Sequence, residues 1–260
     1  GEGPLDRFGF SLAAGDLDGD GYSDLIVGAQ YSTPSSLLYQ QGAVYVYFGP
    51  DFTRSIPLRA TSANKGLGWA VATGDINGDG KSDLLISASG KVLAYYGGAS
   101  FGAGSATPVS VDSPNLMVKS SASGFGKAIA VIGDVNGDWT IEIAFGAPNA
   151  TVSTNRDTGT VYIVKGTATG TVDLGAATPP ADLIVKINGA ALFDRFGSSI
   201  LPAGDIDGDG KADFAVSATL ADVNPNDTSG QVYLFKGKDI NASTTLANST
   251  AFKGSMKDQS

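Results

Sequence analysis

The chain has 260 residues, with 17 basic against 26 acidic side chains, a net charge of −9, and neither cysteine nor histidine. These counts exclude a disulfide framework, a thiolate nucleophile, a histidine general base and any Cys/His metal site. The acidic balance argues against nucleic acid, and apolar runs of only a few residues exclude membrane insertion by this segment. With 42% hydrophobic residues and 36 glycines, about twice the usual share, the composition is that of a glycine-rich β protein with ample core.

In chain order, the first landmark is Phe8-Gly9, which leads through small and apolar residues to an acidic loop starting at Asp16. An apolar run at 25–27, a Gly28-Ala29 step, a valine-tyrosine run at 44–47 and a weaker run at 55–60 follow. The pattern returns at Leu67-Gly68, with its loop at Asp75 and runs at 84–86, 92–95 and 116–119. It returns at Phe125-Gly126, with Asp134 and runs at 143–145, 161–164 and 183–187, and again at Phe196-Gly197, with Asp205 and runs at 214–216, 232–235 and 250–253. The loops start 59, 59 and 71 residues apart. Short β-branched and aromatic runs bounded by Gly, Asn, Asp and Pro read as strands, and no stretch carries a sustained helical period. Four strands per tandem repeat predict an all-β fold, a β-propeller of four-stranded antiparallel blades, with approximate blades at 8–60, 67–119, 125–187 and 196–253 in a single region 1–260.

The loops share one spacing of oxygen-bearing residues. They run Asp16, Asp18, Asp20, Tyr22, Asp24; Asp75, Asn77, Asp79, Lys81, Asp83; Asp134, Asn136, Asp138, Thr140, Glu142; and Asp205, Asp207, Asp209, Lys211, Asp213. Oxygen ligands at alternate positions, with glycines between them, wrap a chain around a hard cation, and calcium takes six to eight such oxygens. The expected donors are side chains one, three, five and nine, with the main-chain carbonyl of residue seven (Tyr22, Lys81, Thr140, Lys211). A single loop of this kind reads equally as an Asp-Gly turn; four with the same spacing predict four Ca2+ sites. An EF-hand needs an acid at position twelve, where this chain has Val27, Ile86, Phe145 and Val216. The loops hold fourteen of the 26 acids, so four divalent ions would bring the net charge from −9 to −1. In the third loop Trp139 replaces the glycine of the others and Glu142 replaces their aspartate, which predicts the weakest of the four sites.

Phe-Gly, the Gly-Asp-x-Asp/Asn-x-Asp-Gly loop and Gly146-Ala147-Pro148 together resemble the FG-GAP repeat of integrin α-subunit β-propellers and their prokaryotic relatives. The resemblance covers essentially the whole chain. It implies calcium in hairpin loops on one face of a seven-bladed ring, with a protein or glycan ligand bound on the opposite face. The departures are Leu67 for the aromatic, Trp139 and Glu142 in the third loop, and the lack of cysteine, which favours a bacterial or archaeal relative over an animal integrin.

Residues 254–260 match the phase of residues 1–7 just before Phe8, so four whole repeats are present, and further blades are expected from the same chain or another subunit. Antiparallel strands alternate their turns between two ends, so the connections at 30–41, 148–158 and 219–229 should lie opposite the acidic loops. They carry Tyr31, Tyr39, Asn155, Arg156, Asp157, Asn224 and Asp227, with Asp6, Arg7, Asp194 and Arg195 arriving from the links between repeats. The function expected is that of a calcium-binding, non-catalytic module for extracellular or cell-surface adhesion and recognition. The alternative is a propeller part of a glycan- or lipid-cleaving surface enzyme.

Overall fold

The computed structural model describes residue 3 and residues 5–32, 41–59, 65–102, 110–222 and 229–254. Four sheets account for the strands. β1 (Phe8–Gly15), β2 (Asp24–Ala29), β3 (Ala43–Tyr47) and β4 (Ser55–Arg59) form the first, in sequential order. β5 (Val71–Gly74), β6 (Asp83–Ala88), β7 (Lys91–Tyr95) and β8 (Leu116–Lys119) form the second. The third holds β9 (Ala128–Gly133), β10 (Glu142–Ala147), β11 (Thr160–Lys165) and β13 (Leu183–Asn188). The fourth holds β14 (Phe196–Gly204), β15 (Asp213–Ala218), β16 (Gln231–Phe235) and β17 (Thr250–Lys253). Each is the up-and-down antiparallel meander of a propeller blade, as the repeat predicts. Among the described residues there is no α-helix, only the 3-10 turns Gly237–Asp239 and Leu246–Asn248.

The sequence predicts four strands per sheet, but the second sheet has five. β12 (Gly170–Asp173), from the third repeat, pairs in parallel with β8 from Gly170↔Leu116 to Asp173↔Lys119. It lies within the longer third spacing, 71 residues against 59, whose twelve extra residues leave room for it.

The chain divides into two compact units, residues 1–120 with 167–173, and residues 121–166 with 174–260. Each holds two successive sheets, and within each unit the sheets meet by the same contacts. The Phe-Gly element of one repeat plugs into the sheet before it. Leu67 N–H donates to the Gln41 carbonyl, and Phe196 N–H donates to the Thr158 carbonyl, both at 3.0 Å. The glycine that follows meets the second-strand glycine of the preceding sheet. A Cβ at Gly28 would stand 2.4 Å from the Gly68 carbonyl oxygen, and one at Gly146 would stand 2.1 Å from that of Gly197. Only glycine permits such an approach, which explains physically why Gly28 and Gly146 stand in the sheets that receive Leu67-Gly68 and Phe196-Gly197.

The central strands are buried on both faces: every residue of β6 and of β10 is buried, so they read as continuous apolar runs. The core of the first unit gathers Leu17, Ile26, Val46, Leu67, Leu84 and Ile86. That of the second gathers Val135, Ala144, Ile163, Phe196, Phe214 and Val216. The second residue of the acidic loop serves as a packing anchor: Leu17 and Val135 are 0% exposed, each in the first sheet of its unit. Its counterpart in the fourth repeat, Ile206, is 57% exposed, and Leu201 and Phe252 of that sheet are exposed as well. On the first sheet Phe8, Phe10 and Leu12 are exposed in the same way.

Candidate metal centres

The four acidic loops join the first and second strands of their sheets, and all four are built on one hydrogen-bond scaffold. The first aspartate caps the turn. Asp16 accepts the N–H groups of Gly19, Asp20 and Gly21 at 2.7, 3.1 and 2.9 Å. Asp75, Asp134 and Asp205 do the same for their own loops, with matching bonds between 2.6 and 3.1 Å. The fifth carboxylate then accepts the N–H of the seventh residue: Tyr22 to Asp20, Lys81 to Asp79, Thr140 to Asp138 and Lys211 to Asp209, at 2.9–3.0 Å. Aspartate suits this task because its short carboxylate reaches backbone donors two to five residues ahead.

The ninth residue is different in kind. Asp24, Asp83, Glu142 and Asp213 are all buried. Each turns one oxygen back to the N–H of the loop's second residue, at 2.8 Å for Leu17, 2.8 Å for Ile76, 3.0 Å for Val135 and 2.9 Å for Ile206. The other oxygen of the aspartates accepts the N–H of the glycine after the third strand: Gly49 at 3.1 Å, Gly97 at 2.8 Å and Gly237 at 2.8 Å. Burial raises the carboxyl pKa of Asp24 and Asp83 against the pull of these bonds. Glu142 breaks the pattern. Its longer side chain does not take the third-strand glycine; Gly166 N–H donates to the Ile141 carbonyl at 2.7 Å instead. Burial pushes the Glu142 carboxyl up to about 7. In the same loop the Thr140 hydroxyl, with its backbone N–H, holds Asp138 below the usual carboxylate range.

Trp139 takes φ +67, in the left-handed region where Gly21, Gly80 and Gly210 stand at +92, +84 and +86. Its ring is 95% exposed, so it returns no packing for that conformation. A left-handed non-glycine residue costs about 1–2 kcal/mol, and glycine's extra unfolded-state entropy offsets about 0.5–1 of that. Trp139→Gly should therefore stabilise the chain by about 0.5 kcal/mol in a denaturant melt with chelator present. A loss of stability would show that the indole holds the loop together.

The third position divides the loops into two classes. In the second loop the Asn77 side chain is satisfied internally, with Nδ2 donating to Asp79 at 3.2 Å and Oδ1 accepting the Asp79 N–H at 2.9 Å. Asn136 repeats this in the third loop, at 3.1 and 2.8 Å to Asp138. In the first and fourth loops the residue is an aspartate, and the carboxylates converge. Asp16, Asp18 and Asp24 bring ligand oxygens within 4.8 Å of one another, as do Asp205, Asp207 and Asp209. Asp18 Oδ2 is paired with Arg54 at 2.5 Å, and Asp207 Oδ2 with Lys238 at 2.6 Å and Lys236 at 3.1 Å. The two lysines hold the Asp207 carboxyl down at about 2. Yet Asp18 Oδ1 and Asp207 Oδ1 are buried with no partner. A buried carboxylate oxygen without a donor is costly, and its placement among other acidic oxygens suits a cation. These two loops fit a metal ion.

At the other end of the sheets, the links read from the sequence do meet. In the first unit Tyr31 N–H donates to the Asp6 carbonyl at 3.2 Å and Arg7 lies over the Tyr31 ring at 4.5 Å. In the second, Phe193 N–H and Arg195 N–H donate to the carbonyls of Arg156 and Asp157, both at 3.0 Å. Asp6 and Asp194 are buried, however, and cap their own turns by accepting Gly3 N–H at 2.8 Å and Ala191 N–H at 2.7 Å. Asn155, Arg156 and Arg195 remain exposed, and the exposed Leu192 and Phe193 join them. Tyr39, Asn224 and Asp227 lie outside the described residues.

Residues 8–47, 67–111 and 196–235 match the FG-GAP repeat model. The chain carries FG-GAP repeats. The matches leave out the third repeat, where Trp139 and Glu142 alter the loop. Among its relatives is a phosphatidylinositol-glycan-specific phospholipase D from Bos taurus, 26% identical, with 91% of this chain and 38% of that protein aligned. Integrin alpha-V from Gallus gallus is 31% identical over 70% of this chain and 16% of its own length. Integrin alpha-4 from Xenopus laevis is 30% identical over 82% of this chain and 20% of its own. The chain thus spans well under half the length of each of these relatives. Repeat, blade topology and relatives agree on an integrin-like FG-GAP propeller.

Proposed function

We propose that this chain is a calcium-binding recognition module of the extracellular space or cell surface. The observation that carries the metal is the pair of buried, partnerless oxygens, Asp18 Oδ1 and Asp207 Oδ1, inside loops whose other carboxylates converge on them. With no histidine or cysteine in the chain, the donors are oxygen alone, which selects a hard cation, and a donor set of several carboxylates with a main-chain carbonyl favours calcium. The holding residues would be the first, third, fifth and ninth side chains of each loop, with the seventh carbonyl. The ion would supply positive charge that ties the loop together. Recognition is assigned to the far end, where Arg156 and Arg195 stand beside Leu192 and Phe193 on connections fixed by backbone bonds. The exposed apolar residues of the first and fourth sheets would receive further blades, from the same chain or another subunit.

A phospholipase D relative aligns with 91% of this chain, and this supports a second reading, a propeller part of a lipid- or glycan-cleaving surface enzyme. In this chain the acids of the loops are occupied with backbone donors, and no histidine or cysteine is available to act as base or nucleophile, so a non-catalytic role is the reading preferred. No helix among the described residues is long and apolar enough to cross a membrane. Calorimetric titration with calcium chloride tests the metal: binding at sub-millimolar to millimolar concentration is expected, and no heat or structural response at 10 mM would reject it. A protein and glycan binding array run beside a hydrolase panel tests the rest. Calcium-dependent capture without turnover is expected, and turnover by the isolated chain would favour the second reading.

A further inference from the structure

Among the described residues, cations form ion pairs with the loop carboxylates in only two of the four loops, and they are the two with aspartate at the third position. In the first loop Arg54 is held at three points. Its Nη2 meets Asp18 Oδ2 at 2.5 Å, its Nη1 donates to the Phe101 carbonyl at 2.7 Å, and its guanidinium lies 3.3 Å from the centre of the Phe48 ring. In the fourth loop Lys238 and Lys236 converge on Asp207 Oδ2. In both cases the cation takes Oδ2 and leaves Oδ1 buried without a partner. The asparagine loops use a neutral amide in its place, Asn77 or Asn136 donating to the fifth carboxylate. Lys165 ends β11 at the register where Lys236 follows β16 and helps to draw the Asp138 carboxyl down, but its loop has no third-position carboxylate to pair with.

We propose that Arg54, and the Lys236–Lys238 pair, are internal counter-cations that keep the four-carboxylate loops folded without calcium and hold their calcium affinity down. The inference rests on the calcium reading. Four carboxylates in nine residues repel one another, and a fixed guanidinium or two ammonium groups relieve that repulsion in the metal-free loop. When a divalent ion engages Oδ1, the cation stays on Oδ2 of the same carboxylate. That ligand is then shared, and the ion faces a positive charge across it. The two effects have opposite signs for the two states: the metal-free loop is stabilised and the metal-bound loop is weakened. Both shrink the stability that calcium adds. Arg54 and the lysines are thus positioning residues for the site, and the extra carboxylate of these loops confers less affinity than its charge suggests.

The test is the melting temperature of the 260-residue chain in chelator and in calcium chloride, for the wild type, Arg54→Gln, Arg54→Lys and the double variant Lys236→Gln/Lys238→Gln. Arg54→Gln and the double variant should melt lower in chelator and gain more on adding calcium. Titration calorimetry should show one class of sites tightened about three- to tenfold. Arg54→Lys, which keeps the charge, should stay near the wild type. A gain no larger than that of the wild type in both neutral variants overturns the inference while leaving calcium binding intact. A wild type that gains nothing from calcium rejects the calcium reading itself. If Arg54→Gln does not fold, the lysine variant decides alone, because the Lys236 and Lys238 side chains are 36% and 47% exposed and glutamine keeps most of their aliphatic stem.

Discussion

Exhaustive chelation should lower the melting temperature of this chain by about 3–15 °C. An ion that binds only the native state adds RT ln(1 + [Ca]/Kd) per site. For extracellular-type sites, with Kd of about 0.1–1 mM at about 1 mM calcium, that is about 0.4–1.4 kcal/mol each. Each compact unit contains two of the loops, so each would lose about 1–3 kcal/mol, and about 3–6 °C accompanies each kcal/mol at this size. The loops should not collapse altogether. Their first aspartates accept backbone N–H groups in the absence of any ion, and the ninth acids anchor the loop from within. The expected result is therefore a lower but still cooperative transition in scanning calorimetry. An unchanged melt, with metal removal confirmed by elemental analysis, would falsify the stabilising role of calcium.

Much of this architecture was open to a reading of the sequence because the repeat is local and its punctuation is chemical. Phe-Gly (Leu67-Gly68 in the second repeat), the loop and a Gly-Ala or Ser-Ala step recur in fixed order, and the β-branched runs between them read as strands. The strands at 44–47, 92–95, 161–164 and 232–235 lie within β3, β7, β11 and β16. β12 escaped because four residues with one buried side chain, Val172, give no period, and its partner β8 lies over fifty residues away. Only the twelve extra residues of the third spacing hinted at it. The loops were legible as oxygen spacing, but not in their division of labour. Nothing local shows that the ninth acid is buried, because in the aspartate loops one of its two anchors is a glycine after the third strand. Nor could the sequence pair Asp18 with Arg54, or Asp207 with Lys238, across 36 and 31 residues. Asp6 and Asp194 look like surface acids beside an arginine, yet each closes a turn on a backbone N–H three residues earlier and turns inward. Trp139 is the reverse case. The glycines at the same position of the other loops already imply a left-handed residue, and the structure places it there.

The ninth-position acids should prove structural before they prove ligands, and Asp83 separates the two roles. Asp83 is 0% exposed and accepts three backbone bonds, from Ile76 N–H at 2.8 Å, Asn77 N–H at 3.3 Å and Gly97 N–H at 2.8 Å. Asp83→Ala would leave the Ile76 and Gly97 donors without their carboxylate in a site sealed from water. Each orphaned donor costs about 1–3 kcal/mol, so a loss of about 3–5 kcal/mol is expected, in chelator as well as in calcium. Asp79, the fifth residue of the same loop, is the contrast. It is exposed and bonds mainly the Lys81 N–H, so Asp79→Ala should cost no more than about 1 kcal/mol in chelator. It should nevertheless remove the increment that calcium adds at this loop, because a coordinating oxygen is gone. Urea melts of the wild type and both variants, each with and without calcium, give the six numbers needed. If Asp83→Ala is as stable as the wild type in chelator, the buried acid is present for the ion alone. If Asp79→Ala keeps the full calcium increment, the second loop does not hold the ion.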